Sequence, residues 1–548
     1  MLLRIRTGIQ GYLLAQIASL WFFRFNITQF GSLYGDKGDA RLSVINHEHW
    51  YQVLRGSESL SGGSFFWPYP HVTGLTEMYF TQGIPYSFMR LVGFDPISSW
   101  QLSSCVFLAI GLFGVFLILD HLKISKILAF CVLVTSVSTY QFIAQIPHPQ
   151  TLAYFMSSWF FLFIIKFNKL PNIKNLSKVS LALTFILLSS WYVFVFVIAI
   201  WLVFLFTNLY LPDFKQRILA FKASFVSSRQ VDFFSTLNFL ISLLGFGIWI
   251  LVYAPNMKLA NRDWGEYLIY APRLGDLFNS SMGATGPYQK IMTYLNLGLN
   301  PTFERALGFP LLTLIIYLSL LLLINLPRFT KLFDPKLVRL FNSAIIGTFI
   351  IFLILAADDA GHSIWFVPWR LVPGLSSVRV PSRILILLAL ILVILVILLI
   401  SSIKLRSGAR FLCVLLLVLV FIFDNSRSHY SMWTRADYES QNYARVVNTA
   451  RDEQCSAFYV APSQSNPQPW ITQVEAMQIA STGRIPTING YSSKTPIGWP
   501  QTPYWGRANP EDIRQWVSKF SLNNPRVCYF DENQGQFNFI QIIQIPVS

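Results

Sequence analysis

Long apolar runs separated by short polar breaks set the pattern of this chain. Residues 306–327 carry no charge, and neither do residues 384–401. A helix rises about 1.5 Å per residue, so such runs are long enough for a hydrocarbon layer about 30 Å thick. Read this way, the chain predicts about eleven spans, at about 8–24, 101–120, 127–143, 150–166, 179–190, 193–210, 233–253, 307–326, 340–357, 383–402 and 411–424. Residues 179–210 are too many for one crossing, and basic residues flank both ends. That stretch is therefore expected to cross twice, turning near Ser189, Ser190, Trp191 and Tyr192. The expected fold class is an α-helical polytopic membrane protein.

Two regions break the pattern. In the first outer loop, about 25–100, Leu42, Ile45, Val53 and Leu54 recur at roughly helical spacing. They predict a helix lying on the membrane surface, and residues 78–94 predict a second one. After about residue 425 the pattern turns soluble. Residues 455–462 and 526–532 read as strands, and 472–484 and 510–520 as helices starting at Thr472 and Pro510. A transmembrane domain over 1–424 and a small extracytoplasmic α/β domain over 425–548 are expected.

Composition agrees with the pattern. The chain of 548 residues is 53% hydrophobic and 12% charged, against about 25% charged in soluble proteins. The N-terminus has the basic start and apolar core of a signal peptide. Trp21, Phe22 and Phe23 stand where small cleavage-site residues would be, so it reads as an uncleaved first span. Nearly all of the net charge of +16 lies in alternate breaks, around Arg4, Lys123, Lys174, Lys215, Lys331 and Arg406. The positive-inside rule makes those breaks cytoplasmic, with the N-terminus inside and the C-terminal segment outside. The basic balance thus reflects orientation and gives no reason to expect a nucleic-acid partner. Cys105, Cys131 and Cys413 fall in spans, whereas Cys455 and Cys528 fall on the two outer strands, where an oxidising compartment lets them pair.

The expected spans contain almost no ionisable residue, so the ion pathways that such residues mark are not evident. Carboxylates and histidines gather instead in the outer segments. The densest group opens the first loop: GDKGDARL (35–42), with Asp36 and Asp39, then HEHWYQVLRG (47–56), FFWPYPH (65–71) and Glu77. A carboxylate fixed at the end of a span can act as general base for an acceptor hydroxyl. It can equally form the turn or cap that starts a helix.

These motifs, with IPHPQTLAYF (146–155) and GRIPTINGYSSKTPIGWP (483–500), resemble those of a group of glycosyltransferase-like bacterial membrane proteins. The order of first span, large acidic outer loop, many spans and outer C-terminal domain resembles GT-C glycosyltransferases. The resemblance implies a GT-C-like fold in the bacterial inner membrane. It implies inverting transfer of a sugar from a polyprenyl-phosphate carrier to a glycan, lipid or protein acceptor on the outer face. The family's catalytic carboxylate lies in the first outer loop, which points to Asp39 or Asp36, Asp39 being preferred because it precedes the helix and Arg41. Glu77 is a second carboxylate, and Glu48 and His49 of the EHWYQVLRG motif are substrate contacts. A leaving phosphate calls for cations, and Arg262, Arg370, Arg379 and Arg383 are candidates, since the guanidinium fork bonds two oxygens. Arg383 can equally snorkel to the interface. His148, between Pro147 and Pro149, and Gln150 sit in a short outer turn. Glu475, Asn489 and Tyr491 are candidates for the acceptor side, with a plain turn at Asn489 and Gly490 as the alternative. No cofactor is certain. A divalent metal is left open, with DDAGH (358–362) offering Asp358, Asp359 and His362, fewer ligands than a site needs. Two other functions stay open. A transporter or flippase of lipid-linked glycans needs a polar path through the spans, and a non-catalytic scaffold needs no convergence of the outer carboxylates.

Overall fold

The computed structural model describes residues 2–24, 26, 31–209, 232–280, 294, 304–403, 406–425, 432–500 and 506–545. Of the basic breaks, Lys215, Arg217, Lys222, Arg229 and Lys404 lie outside the described residues. The described chain is mostly helical. Seven of its helices are long and apolar enough to cross a membrane: Pro96–His121, Lys126–Ala144, Pro149–Lys169, Phe233–Leu259, Pro335–Leu355, Pro381–Ser401 and Gly408–Asn425. Trp191–Leu205 and Leu311–Asn325 are shorter apolar helices. Leu2–Phe22 and Ile173–Ser189 fill the remaining expected segments.

Packing explains which helices are uniformly apolar. Pro381–Ser401 is buried along most of its length, so it needs no polar face. Phe233–Tyr253 instead exposes Leu240, Leu243, Leu244, Phe246 and Leu251, the surface a lipid chain would cover. The long apolar stretch after residue 173 does break where expected. Ile173–Ser189 ends at Ser190, which is extended (φ −158°, ψ 127°), and a new helix starts at Trp191. Glu77 fixes the break by accepting the Trp191 N–H at 3.2 Å.

The first loop departs from expectation. The Asp39–Leu54 helix does not lie on a surface: from Ala40 to Gln52 it is buried except at the half-buried Leu42, packed against the helices Phe80–Leu91, Pro96–His121 and Pro469–Gly483. Its histidines and Glu48 tolerate burial because each finds a partner. His47 Nδ1 meets the Ser43 carbonyl at 2.5 Å. Glu48 accepts from Arg90 Nε at 2.9 Å and from the Tyr86 hydroxyl at 2.6 Å. His49 bridges Glu58 at 2.5 Å and the Thr73 hydroxyl at 3.1 Å. The second helix, Phe80–Leu91, does present an outward apolar face of Ile84, Phe88 and Leu91.

In the C-terminal segment, strand Ala457–Ala461 runs parallel to Arg526–Asn533, which pairs antiparallel with Gln536–Gln544. A disulfide joins Cys455 to Cys528, with Cα atoms 5.8 Å apart. This segment is not packed on its own. Phe65, Phe66, Val72 and Leu75 of the first loop share one core with Tyr459, Met477, Trp499 and Trp516. The backbone joins too: Phe66 N–H donates to Asn489 O at 3.0 Å, and Trp67 N–H to Thr487 O at 2.9 Å. Ser32–Tyr34 also pairs antiparallel with Met432–Thr434. First loop and C-terminal segment therefore form one cap, and the cavity described next lies under it.

Candidate active site

Gly35 begins the site. Its φ of +90° favours glycine, and a Cβ there would stand 2.5 Å from that of Ala40. This tight turn lets Asp36 Oδ1 accept the N–H groups of Gly38 (3.0 Å) and Ala40 (3.3 Å). Asp36 thus closes the turn before the Asp39–Leu54 helix. Gly38 packs on Trp470, whose ring would lie 2.8 Å from an added Cβ.

Asp39, one residue into the helix, is held from both sides. Its Oδ2 lies 2.5 Å from His148 Nδ1, and its Oδ1 accepts from the Tyr491 hydroxyl at 3.1 Å. His148 Nε2 stands 3.2 Å from Glu304 Oε1. Glu304 in turn takes Arg383 through two bonds, at 2.6 Å and 3.2 Å. Four side chains from four separate segments form a row of alternating charge: Asp39, His148, Glu304 and Arg383. Arg383 is buried and paired, so it does not snorkel.

Burial and charge set the titration of the group. Burial, with the negative charge of Asp39 beside it, pushes Asp36 up to about 6. Burial works the same way on Asp39, but the His148 hydrogen bond, its charge and Arg383 outweigh burial and hold Asp39 below its ordinary value. Burial and Arg383 oppose a charge on His148, yet Glu304 and Asp39 win and raise it. Glu304, despite burial, is held far down by Arg383 and His148. Burial pushes Glu77 up to about 7, against hydrogen bonds from Ser190 and the Trp191 N–H.

All of these groups except Glu304, which stands behind His148 and Arg383, border one cavity of about 610 Å³. Asp36, Asp39 and Glu77 line it from the first loop, and His148 and Gln150 from the turn between two spans. Gln150 accepts from the Tyr79 hydroxyl at 2.8 Å. Trp191, Tyr192, Trp249 and Tyr253 wall it at the helix ends, and Trp470 and Tyr491 close it from the C-terminal segment. Arg262, Arg379, Arg383, Lys258 and Lys494 supply its cations. Arg262 is matched by Glu266. The Arg379 guanidinium lies over the Tyr270 ring, 5.1 Å from its centre, and makes no ion pair among the described residues.

Other candidates fall elsewhere. Glu48 and His49 are paired inside the cap and do not border the cavity. Arg370 is exposed on the short Phe366–Leu371 helix. Glu475 accepts from Asn442 at 3.0 Å and from Ser440. Asn489 is fully buried and braces strand Ala457–Ala461 through both Val460 N–H and Val460 O at 2.8 Å. Asp358 and His362 pair at 2.9 Å beside a separate shallow depression, while Asp359 approaches Arg273 at 3.8 Å. Among the described residues no three His, Cys, Asp or Glu side chains group as metal ligands. Asp39, which borders the cavity, is already engaged by His148 and Tyr491, so a cation is not assigned a cradle there.

Glu304 is a site residue that the sequence pattern does not single out, as are the cavity's Lys258 and Lys494. The available signal was a lone carboxylate just before an apolar run, where an unpaired charge is costly. Its partners are 156 and 79 positions away, which no local pattern reveals (304 − 148 and 383 − 304).

No family model matches the chain, and no curated protein does. Among solved structures, it is similar to the archaeal oligosaccharyltransferase AglB from Archaeoglobus fulgidus, in complex with an inhibitory peptide and a dolichol-phosphate. That similarity has a TM-score of 0.42 and 11% identity, over 95% of this chain and 69% of the other.

Proposed function

We propose that this chain is a GT-C type glycosyltransferase of a bacterial inner membrane. It crosses the membrane eleven times by the expected spans, with the cap outside and the N-terminus in the cytoplasm. It transfers a sugar from a polyprenyl-phosphate carrier to an acceptor hydroxyl at the outer face, inverting the sugar carbon. The observation that carries this reading is the meeting of Asp36 and Asp39 with Arg379 and Arg383 in one covered cavity. A carboxylate removes the acceptor proton, and cations receive the charge that develops on the phosphate. Arg379 suits the second task because no carboxylate neutralises it among the described residues. The aromatic helix ends Trp191, Trp249 and Tyr253 offer apolar surface to the carrier lipid. A scaffold would have no use for carboxylates brought from a loop to one cavity with Arg379 and Arg383.

The test is transfer in liposomes from radiolabelled polyprenyl-phosphate sugars to glycan, lipid and peptide acceptors. Label is expected in the acceptor, and the double variant Asp36→Asn with Asp39→Asn is expected to lose it. Movement of the labelled carrier across the bilayer without transfer would favour a flippase instead.

A further inference from the structure

The geometry points to a division of labour in the first-loop pair: Asp36 takes the acceptor proton, and Asp39 is a positioning residue. This rests on the transfer reading above and inverts the preference that sequence suggests. Asp39 has both oxygens engaged, one by the His148 ring and one by the Tyr491 hydroxyl. Asp36 uses only Oδ1, on two backbone N–H groups that fix its direction, and its Oδ2 makes no hydrogen bond among the described residues. Both carboxylates border the cavity, but only Asp36 has an oxygen left for substrate.

Basicity agrees. The groups facing Asp36 are Asp39, His148, Tyr491 and the N–H groups of Gly38 and Ala40. Burial and Asp39 raise Asp36 to about 6, while Asp39 itself is held low. Environments that separate two carboxylates in this way separate their roles. A base near neutrality also accepts a proton more effectively than a strongly acidic one.

In the step, the acceptor oxygen bonds to the anomeric carbon as the bond from that carbon to phosphate oxygen breaks. Its electron pair leaves with the polyprenyl phosphate, and the hydroxyl proton passes to Asp36 Oδ2. Asp39 acts through others. Its charge keeps Asp36 basic, and its bonds to His148 and Tyr491 pin the start of the helix to the span turn and to the C-terminal segment.

The experiment is steady-state transfer by the full chain in liposomes, with kcat and KM followed from pH 4.5 to 8. Asp36→Asn keeps a carbonyl oxygen for Gly38 and Ala40, so its melting temperature is expected to match wild type. Its kcat is expected to fall about 10²–10⁴-fold, with KM little changed and without the acid limb near pH 6. Asp36→Glu is expected to keep that limb and recover part of kcat. Asp39→Asn is expected to keep the limb but move it to lower pH, because the neighbouring negative charge is gone. Asp36→Asn with wild-type kcat and an intact limb would overturn the assignment, as would loss of the limb in Asp39→Asn alone. A wild-type protein that transfers no sugar to any acceptor would overturn the transfer reading itself.

Discussion

Glu304 stands between His148 and Arg383, and all three side chains are largely buried. Removing one member of a buried ion pair strands the other charge, at a cost of about 3–5 kcal/mol. Glu304→Gln keeps the shape and deletes the charge, so a loss of about that size is expected, read as a lower melting temperature in detergent. The exposed Lys331→Gln is the control and should change little. Glu77 behaves with the opposite sign. Its pKa, raised to about 7 by burial, means the folded state favours the protonated form. Stability is therefore full below the unfolded value near 4.5 and is lost as pH rises through about 7. Glu77→Gln carries no such penalty. Between pH 6 and 8 the wild type is expected to lose about 1 kcal/mol relative to that variant. Parallel melting curves that do not diverge would show that Glu77 is not buried as protonated acid. His148 is legible because two prolines frame it, and Tyr491 through the resemblance of the GRIPTINGYSSKTPIGWP segment, for which a plain turn at Asn489 and Gly490 is the alternative. Glu304 was not legible, because what marks it is two distant cations rather than its neighbours in sequence.

At the scale of elements, apolar length was the most readable signal and polar burial the least. The break at Ser190 follows from length and flanking charge alone, and the structure breaks the helix there. Strand Ala457–Ala461 sits within the expected strand 455–462, and strand Arg526–Asn533 runs one residue past the expected 526–532. Strand Gln536–Gln544 was passed over, although QFNFIQIIQ has the mixed apolar and polar run of an edge strand. The Asp39–Leu54 helix departs from expectation, because the spacing of Leu42, Ile45, Val53 and Leu54 predicts one apolar face and says nothing of partners for Glu48 and His49. Arg90, Glu58 and Thr73 satisfy them from outside the helix, which a reading of that helix alone cannot supply. The neighbouring Phe80–Leu91 helix keeps its outward apolar face of Ile84, Phe88 and Leu91. That face is expected to lie in the membrane interface. A nitroxide on Phe88→Cys, with the exposed Cys413 changed to Ser, should collide with oxygen more than with a water-soluble nickel complex. A fully aqueous signal would mean that this face meets protein or water instead.

At the scale of the molecule, two independent features bear on which side the cavity faces. One is the charge asymmetry of the breaks, which under the positive-inside rule favours a cytoplasmic side for the basic turns. The other is the disulfide between Cys455 and Cys528, a bond that is favoured in oxidising compartments. Tyr491 and Trp470 border the cavity from the segment that holds this disulfide, so the cavity shares its side. Asp120, Lys123 and Lys126 stand at the other end of the Pro96–His121 helix, whose first residues adjoin the cap through Asp95 and Arg435. The proposed orientation, with the basic breaks in the cytoplasm and the cavity outside, is tested by single-cysteine labelling. In the Cys413→Ser background, Lys519→Cys is exposed on the C-terminal segment and Lys331→Cys on a basic break. A membrane-impermeant maleimide applied to spheroplasts is expected to label the first at once and the second only after permeabilisation. The reverse order would turn the cavity toward the cytoplasm, and a donor and acceptor would then have to be sought on the inner face.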